Sequence, residues 1–276
     1  MASVLVSAVR AHFKGTLAHL DQPDTMSAQF QYLRRTHAGP GTISIEDLKL
    51  GGGISTVQVV LWQEDRREVQ GFIVQANFAK QTGVSVPTTF LKSCMLPTPP
   101  PIDFTAVEKS GEDANWIVER EPPGNSFRRA IANVVFHHPK HQEDPSYVDQ
   151  WIRFRPGGAS KGIVPFPQEA LGFVVDVFPH MVEKFPQAEK GMTRWYPTVA
   201  LNLDVKRQLP PGGANWLFMR VRAAEIRNGR LDLQVLVLDE EGNIVALSSH
   251  VSLVMSSDRN MAERRPGNGA GTNGKL

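Results

Sequence analysis

Asn228-Gly229 lies between two apolar, strand-like runs, Trp216 to Ala224 and Arg230 to Leu238. An Asn-Gly pair in that setting demands a tight two-residue turn, because both residues take up its left-handed backbone cheaply, so the runs must be antiparallel neighbours. Two further runs, Thr198 to Val205 and Ile244 to Met255, flank them, set off by Pro210-Pro211-Gly212-Gly213 and Glu241-Gly242-Asn243. Val, Leu, Ile and aromatics between such punctuation predict a four-stranded antiparallel meander. Just upstream, Pro167 to Phe185 places Ala170, Leu171, Phe173, Val174, Val177, Phe178, Met181 and Val182 at roughly helical spacing. A helix this apolar must be buried, and the meander is the nearest surface to bury it; Pro179 should kink or break it.

The same order occurs earlier in the chain. Ala2 to Leu20 reads as a helix, with Val4, Leu5, Ala8, Val9, His12 and Phe13 along one face. Strand-like runs follow at Ser27 to Leu33, Ile43 to Leu50, Ile54 to Gln63 and Val69 to Phe78, with turns at Gly39-Pro40-Gly41, Gly51-Gly52-Gly53 and Asp65-Arg66-Arg67. Setting VQGFIVQANF against IVALSSHVSL brings Gln75 opposite His250. A helix followed by four strands, twice, argues for two copies of one unit paired about an internal pseudo-twofold. Between the copies, LPTPPPID cannot be helix or central strand and reads as an extended crossover. A strand near Ala130 to Phe136 and another at Tyr147 to Arg155 precede the second helix. The expected divisions are a first unit over 1–86, a crossover over 87–145, a second unit over 146–258 and a disordered Gly, Asn and Arg tail over 259–276.

Thirty basic and twenty-eight acidic residues leave a net charge of +2, too small a bias for a nucleic-acid partner. A single cysteine, Cys94, excludes an internal disulfide and a cysteine zinc cage. There is no run of eighteen apolar residues and no secretory leader, so neither membrane insertion nor export is expected. The reading is a cytoplasmic protein. Its last residues, Gly274-Lys275-Leu276, approach the Ser-Lys-Leu peroxisomal address, with glycine where that address has serine, so peroxisome ranks second.

One helix wrapped by an antiparallel sheet is the hotdog arrangement. The Pro-Thr strand carrying Asp204, the Pro/Gly turn, Asn215-Trp216-Leu217, the Asn-Gly hairpin and Ala246-Leu247-Ser248-Ser249-His250 together resemble acyl-CoA thioesterase II-like double-hotdog proteins. The chain is similar above all to the fungal thioesterase-like branch. The resemblance implies an α+β double hotdog with two long helices, each wrapped by its sheet. It implies hydrolysis of an acyl thioester, on coenzyme A or a carrier-protein arm, with no cofactor and no metal; a homo-oligomer is compatible with it. The family's first unit opens with a strand and a Gly-Gly loop that do not precede Ala2 here.

The family aspartate aligned with Asp204 is catalytic, and a carboxylate hydrogen-bonded to a water can act as general base on a thioester. The structural alternative is a strand-end aspartate paired with Lys206 or Arg207. His250 falls where the family more often has glutamine, and can hold the attacking water or be a satisfied core histidine. Ser248, two residues away, shares its strand face and completes the expected set. The family's hydroxyl-bearing position falls at Ala223 or Ala224, which carry none. Helix Ala2 to Leu20 would supply the N–H that polarises the carbonyl.

Other motifs point elsewhere. Gly158-Ala159-Ser160-Lys161-Gly162 fits the nucleophile-elbow pattern without the strand-turn-helix setting it needs. His137, His138 and His141 are split by Pro139, which argues against a metal-binding helix face. His37 and Gly41 match the start of a dehydratase signature, but Glu46 stands where its proline belongs. The five tryptophans read as core or acyl-groove residues. The alternatives to hydrolysis are a catalytically silent acyl-binding or assembly protein, or a dehydratase-like lyase.

Overall fold

The computed structural model describes residues 1–120, 129–179, 181–186, 188 and 194–256. Helix α1 (Ala2–Lys14) leads into β1 (Asp24–Tyr32), β2 (Thr42–Lys49), β3 (Ile54–Gln63) and β4 (Arg66–Ala76). Short helices α2 (Phe90–Cys94) and α3 (Phe104–Ser110) precede β5 (Trp116–Val118), β6 (Val134–Pro139) and β7 (Tyr147–Phe154). Helix α4 (Leu171–Val174) is followed by β8 (Arg194–Trp195), β9 (Thr198–Val205), β10 (Leu217–Arg222), β11 (Ile226–Arg227), β12 (Arg230–Leu238), β13 (Ile244–Leu253) and β14 (Met255–Ser256). The expected tail over 259–276, with its terminal Gly274-Lys275-Leu276, lies outside the described residues.

Twelve strands form one sheet in the order β2-β3-β4-β1-β9-β13-β12-β10-β7-β6-β5, with β11 paired to β12; β8 and β14 form a separate ribbon. All the pairings are antiparallel. Outward from the β1–β9 seam, each half presents its first, fourth, third and second strand in turn. The register repeats too: Ala28 faces Ile73 in the first half and Leu203 faces Ser248 in the second, each partner displaced by 175 positions. That displacement carries Gln75 onto His250. The result is an α+β double hotdog whose halves share one sheet.

Burial follows strand alternation. In β9, Leu201, Leu203 and Val205 are buried while Asn202 is exposed and Asp204 half-exposed. Helix α1 buries Ala2, Leu5, Val6, Val9 and Phe13, and packs on β1, β2, β3 and α4. It ends at Lys14, short of the expected Leu20, and a separate 3-10 turn covers Ala18–Leu20. The second helix departs further from expectation. Pro167 to Phe185 is not one helix but a 3-10 turn at Gln168–Ala170, the four-residue α4, and another 3-10 turn at Met181–Lys184. Pro179 supplies no N–H and disfavours helical backbone at Phe178, and the apolar run, whose helix already ends at Val174, is buried as turns. Gly172 allows α1 and α4 to meet, since a Cβ there would lie 2.9 Å from the Ser3 nitrogen and 3.2 Å from Ala2 Cβ.

Over the other face of the second half lies the crossover. Leu91, Cys94, Met95, Ile102 and Phe104 pack on a cluster containing Trp116, Trp216, Phe218, Leu236 and Leu238. Arg220, 1% exposed, fastens this layer: its guanidinium donates to both oxygens of Asp149 at 2.6 Å, to the Cys94 carbonyl at 3.1 Å and to the Pro97 carbonyl at 2.7 Å.

Candidate active site

The sequence placed Asp204, His250 and Ser248 in one site, and the fold divides them. His250 and Ser248 point inward from β13, opposite Leu201 and Leu203. Asp204 stands opposite Leu247 on the other face of the sheet, where its side chain is 48% exposed and bonded to Lys206. The alternation that buries Leu203 and Val205 turns Asp204 outward, and no hydrogen bond or ion pair joins it to His250.

A different carboxylate reaches the histidine. Asp176 caps the turn after α4, its N–H donating to the Phe173 carbonyl at 3.0 Å. Its Oδ1 lies 3.8 Å from Nδ1 of His250, whose side chain is fully buried while that of Asp176 is 39% exposed. Asp176, Phe178, Met181, Tyr196, Thr198 and Ser252 are among the residues lining a cavity of about 50 Å³ beside the histidine. The Phe178 ring meets His250 edge-on, with centroids 5.8 Å apart.

The proton on His250 can be placed. Ser248 Oγ donates to the Asn202 carbonyl at 2.6 Å, so its one hydrogen is committed, and in its 3.1 Å contact with His250 it accepts from Nε2–H. The other ring nitrogen, Nδ1, is the one turned toward Asp176. Burial pushes His250 down to about 4, with the Val175 backbone pulling the other way, so the ring is neutral at physiological pH.

Asp176 also acts across the seam. The Tyr32 hydroxyl, brought from β1, is raised above the ordinary tyrosine value first by burial and then by the Asp176 charge. The amine at the start of α1 is held down by burial, against an opposing pull from Asp176. The first turn of α1 packs on α4, with the Ser3 nitrogen beside Gly172 and the Val4 N–H taken by the Met1 carbonyl at 3.0 Å.

Asp176, Tyr196 and Thr198 were not singled out from the sequence. One signal was present: Asp176 is the only charge in Leu171 to Phe178, an otherwise apolar run that must be buried. Three hydroxyl-bearing residues line the cavity: Tyr196, whose OH donates to Glu183 Oε1 at 2.5 Å, and Thr198 and Ser252, neighbours across β9 and β13; Ala223 and Ala224 line a separate groove. The other motifs are structural here. Residues 155–163 are turns that lead to no helix before α4, so Ser160 sits on no elbow. His137 and His138 lie on opposite faces of β6, one against Trp216 with ring centroids 4.9 Å apart, the other 2.9 Å from Glu119.

Residues 101–254 match the acyl-CoA thioesterase C-terminal domain, and residues 1–79 the acyl-CoA thioesterase N-terminal domain. The chain belongs to the acyl-CoA thioesterase family. It is 32% identical over 284 residues to the thioesterase-like protein TwmA of Talaromyces wortmannii, covering 88% of this chain and 80% of that one. Among solved structures, a thioesterase II from Thermobifida fusca superposes with a TM-score of 0.66 at 20% identity, over 91% of this chain and 85% of that one. The acyl-CoA thioesterase II TesB2 of Mycobacterium marinum superposes at 0.54 and 16% identity, over 88% and 83%. Membership of the acyl-CoA thioesterase family sets acyl thioesters as the substrate class at family level. Among the described residues no helix is long and apolar enough to cross a membrane.

The buried histidine makes stability depend on pH. Unfolded, His250 takes up a proton near its ordinary value of 6.5; folded, it resists until about 4. Neither state is protonated above that window, so stability is greatest there and falls as pH drops through it. His137, also lowered to about 4 mainly by burial, adds a similar term. Each histidine should remove about 2–3 kcal/mol between pH 7 and about pH 4.5. Urea unfolding at the two pH values should show His250→Gln losing roughly half of the wild-type acid sensitivity.

Proposed function

We propose that this chain hydrolyses an acyl thioester, carried on coenzyme A or a carrier-protein arm, with Asp176 as general base. The observation that carries this reading is the 3.8 Å separation of Asp176 Oδ1 and Nδ1 of His250. A water in that gap donates one hydrogen to each and is left with lone pairs for attack, the office the commoner family glutamine would share through its amide oxygen. Asp176 takes the proton as the water oxygen bonds to the thioester carbon. Negative charge moves onto the carbonyl oxygen, where the first-turn N–H groups of α1 favour it. Collapse breaks the C–S bond, and the proton held by Asp176 passes to the departing thiolate, giving a carboxylic acid and a free thiol. Ser248 is a positioning residue that fixes the histidine tautomer, and Thr198 and Ser252 offer hydroxyls to the substrate in place of the alanines at 223 and 224.

The test is direct. Purified protein mixed with acyl-CoAs and a thiol reagent should release thiol above the rate of a boiled control. Saturable acyl-CoA binding without thiol release would overturn hydrolysis and support an acyl-binding role instead.

A further inference from the structure

A second space adjoins the catalytic cavity. It is an open groove of about 420 Å³, bordered by Val182, Phe185, Ala223 and Ile226, with Ser146 and Glu225 at its polar side. Two pairs of residues divide it from the catalytic cavity. Met181 lines the cavity and Val182 the groove; Leu231 lines the cavity, and its cross-strand partner Ile226 the groove. Met181 and Leu231 are 2% and 4% exposed, so the partition is closed.

The two volumes differ in what they admit. The catalytic cavity, about 50 Å³, has room for a few waters or a short acyl stub; a cavity of about 150 Å³ is what takes up a benzene ring. The groove is large and apolar enough for many methylenes, and Met181 and Leu231 stand between it and the reacting groups. An unbranched thioether side chain on a 3-10 turn is the movable part of the partition, since Leu231 is fixed in a strand.

We propose that Met181 is the wall that sets acyl-chain length, restricting the native protein to short acyl groups and closing off a groove that takes the distal methylenes of longer ones. This rests on the thioesterase reading for its chemistry, but its geometry can be tested apart from catalysis. S-alkyl-CoA thioethers from butyl to dodecyl cannot be hydrolysed, and their binding is read by calorimetry. For the native protein, affinity should stop rising after the shortest chains. For Met181→Ala it should keep rising, by up to about fourfold for each methylene that enters the groove. Met181→Leu should keep the native profile. Because Met181→Ala empties a buried site, Ile226→Trp provides a second arm: it fills the half-exposed groove side and, combined with Met181→Ala, should cancel the long-chain gain. Identical chain-length profiles for native and Met181→Ala proteins would overturn the proposal. A shifted binding profile without hydrolysis of any acyl-CoA would leave the wall standing and remove the hydrolase reading instead.

Discussion

Asp176→Asn should keep the fold and the affinity for an unreactive acyl-CoA while turnover falls by about a hundredfold or more, the scale of a lost general base. Asparagine keeps the shape and one acceptor oxygen but cannot take a proton from the attacking water proposed between it and His250. The side chain is partly open to the cavity, so little stability is at stake. Asp204→Asn is the paired control. That residue faces outward and bonds Lys206, and losing such a surface pair changes stability by no more than about 1 kcal/mol. Its turnover should match the native protein. The reverse result, an inactive Asp204→Asn beside an active Asp176→Asn, would return the base to the outer face of β9. Steady-state kinetics and thermal unfolding on the same two preparations give the answer.

Arg220→Met should be the most damaging single change outside the cavity. It leaves Asp149 with its principal cationic partner gone at a position only 2% exposed, a situation that costs about 3–5 kcal/mol. It also frees the carbonyls of Cys94 and Pro97, to which the guanidinium donates. The melting temperature should fall by roughly 10 °C, and the segment around Pro97 to Pro101 should become open to proteolysis. Arg220→Met with Asp149→Leu should recover most of the loss, because the penalty lies in the stranded charge more than in the missing attraction. A double variant as unstable as the single one would show that the crossover contacts, not the buried charge, hold this layer.

Much of the sheet was legible because strand chemistry is local. Thr198 to Val205 and Arg230 to Leu238 match the observed strands end to end, since β-branched alternation and the Asn228-Gly229 turn act within a few residues. The Gln75–His250 correspondence was legible for the same reason, and the strand register repeats it. The second helix was not. In Pro167 to Phe185 nearly every position is apolar, so a buried helix and buried turns have the same pattern, and only Pro179 argues between them. That ambiguity also hid the carboxylate. Asp176 comes to His250 because the chain leaves α4 as a turn, which is a tertiary outcome with no periodic signature. The sequence did carry the orientation of Asp204: alternation with Leu203 and Val205 aims it away from the face on which His250 lies.

The repeat has a consequence for how such a protein changes over time. Gln75 occupies the first half's version of the His250 position, fully buried between Thr25 and Ser55, and neither of its amide atoms has a hydrogen-bond partner among the described residues. The buried face of α1 is entirely apolar. Had the two units remained separate copies of one gene product, any substitution would have struck both at once. Joined in a single chain across the β1–β9 seam, they are inherited together but altered one at a time, so equivalent buried positions can carry glutamine in one half and histidine in the other.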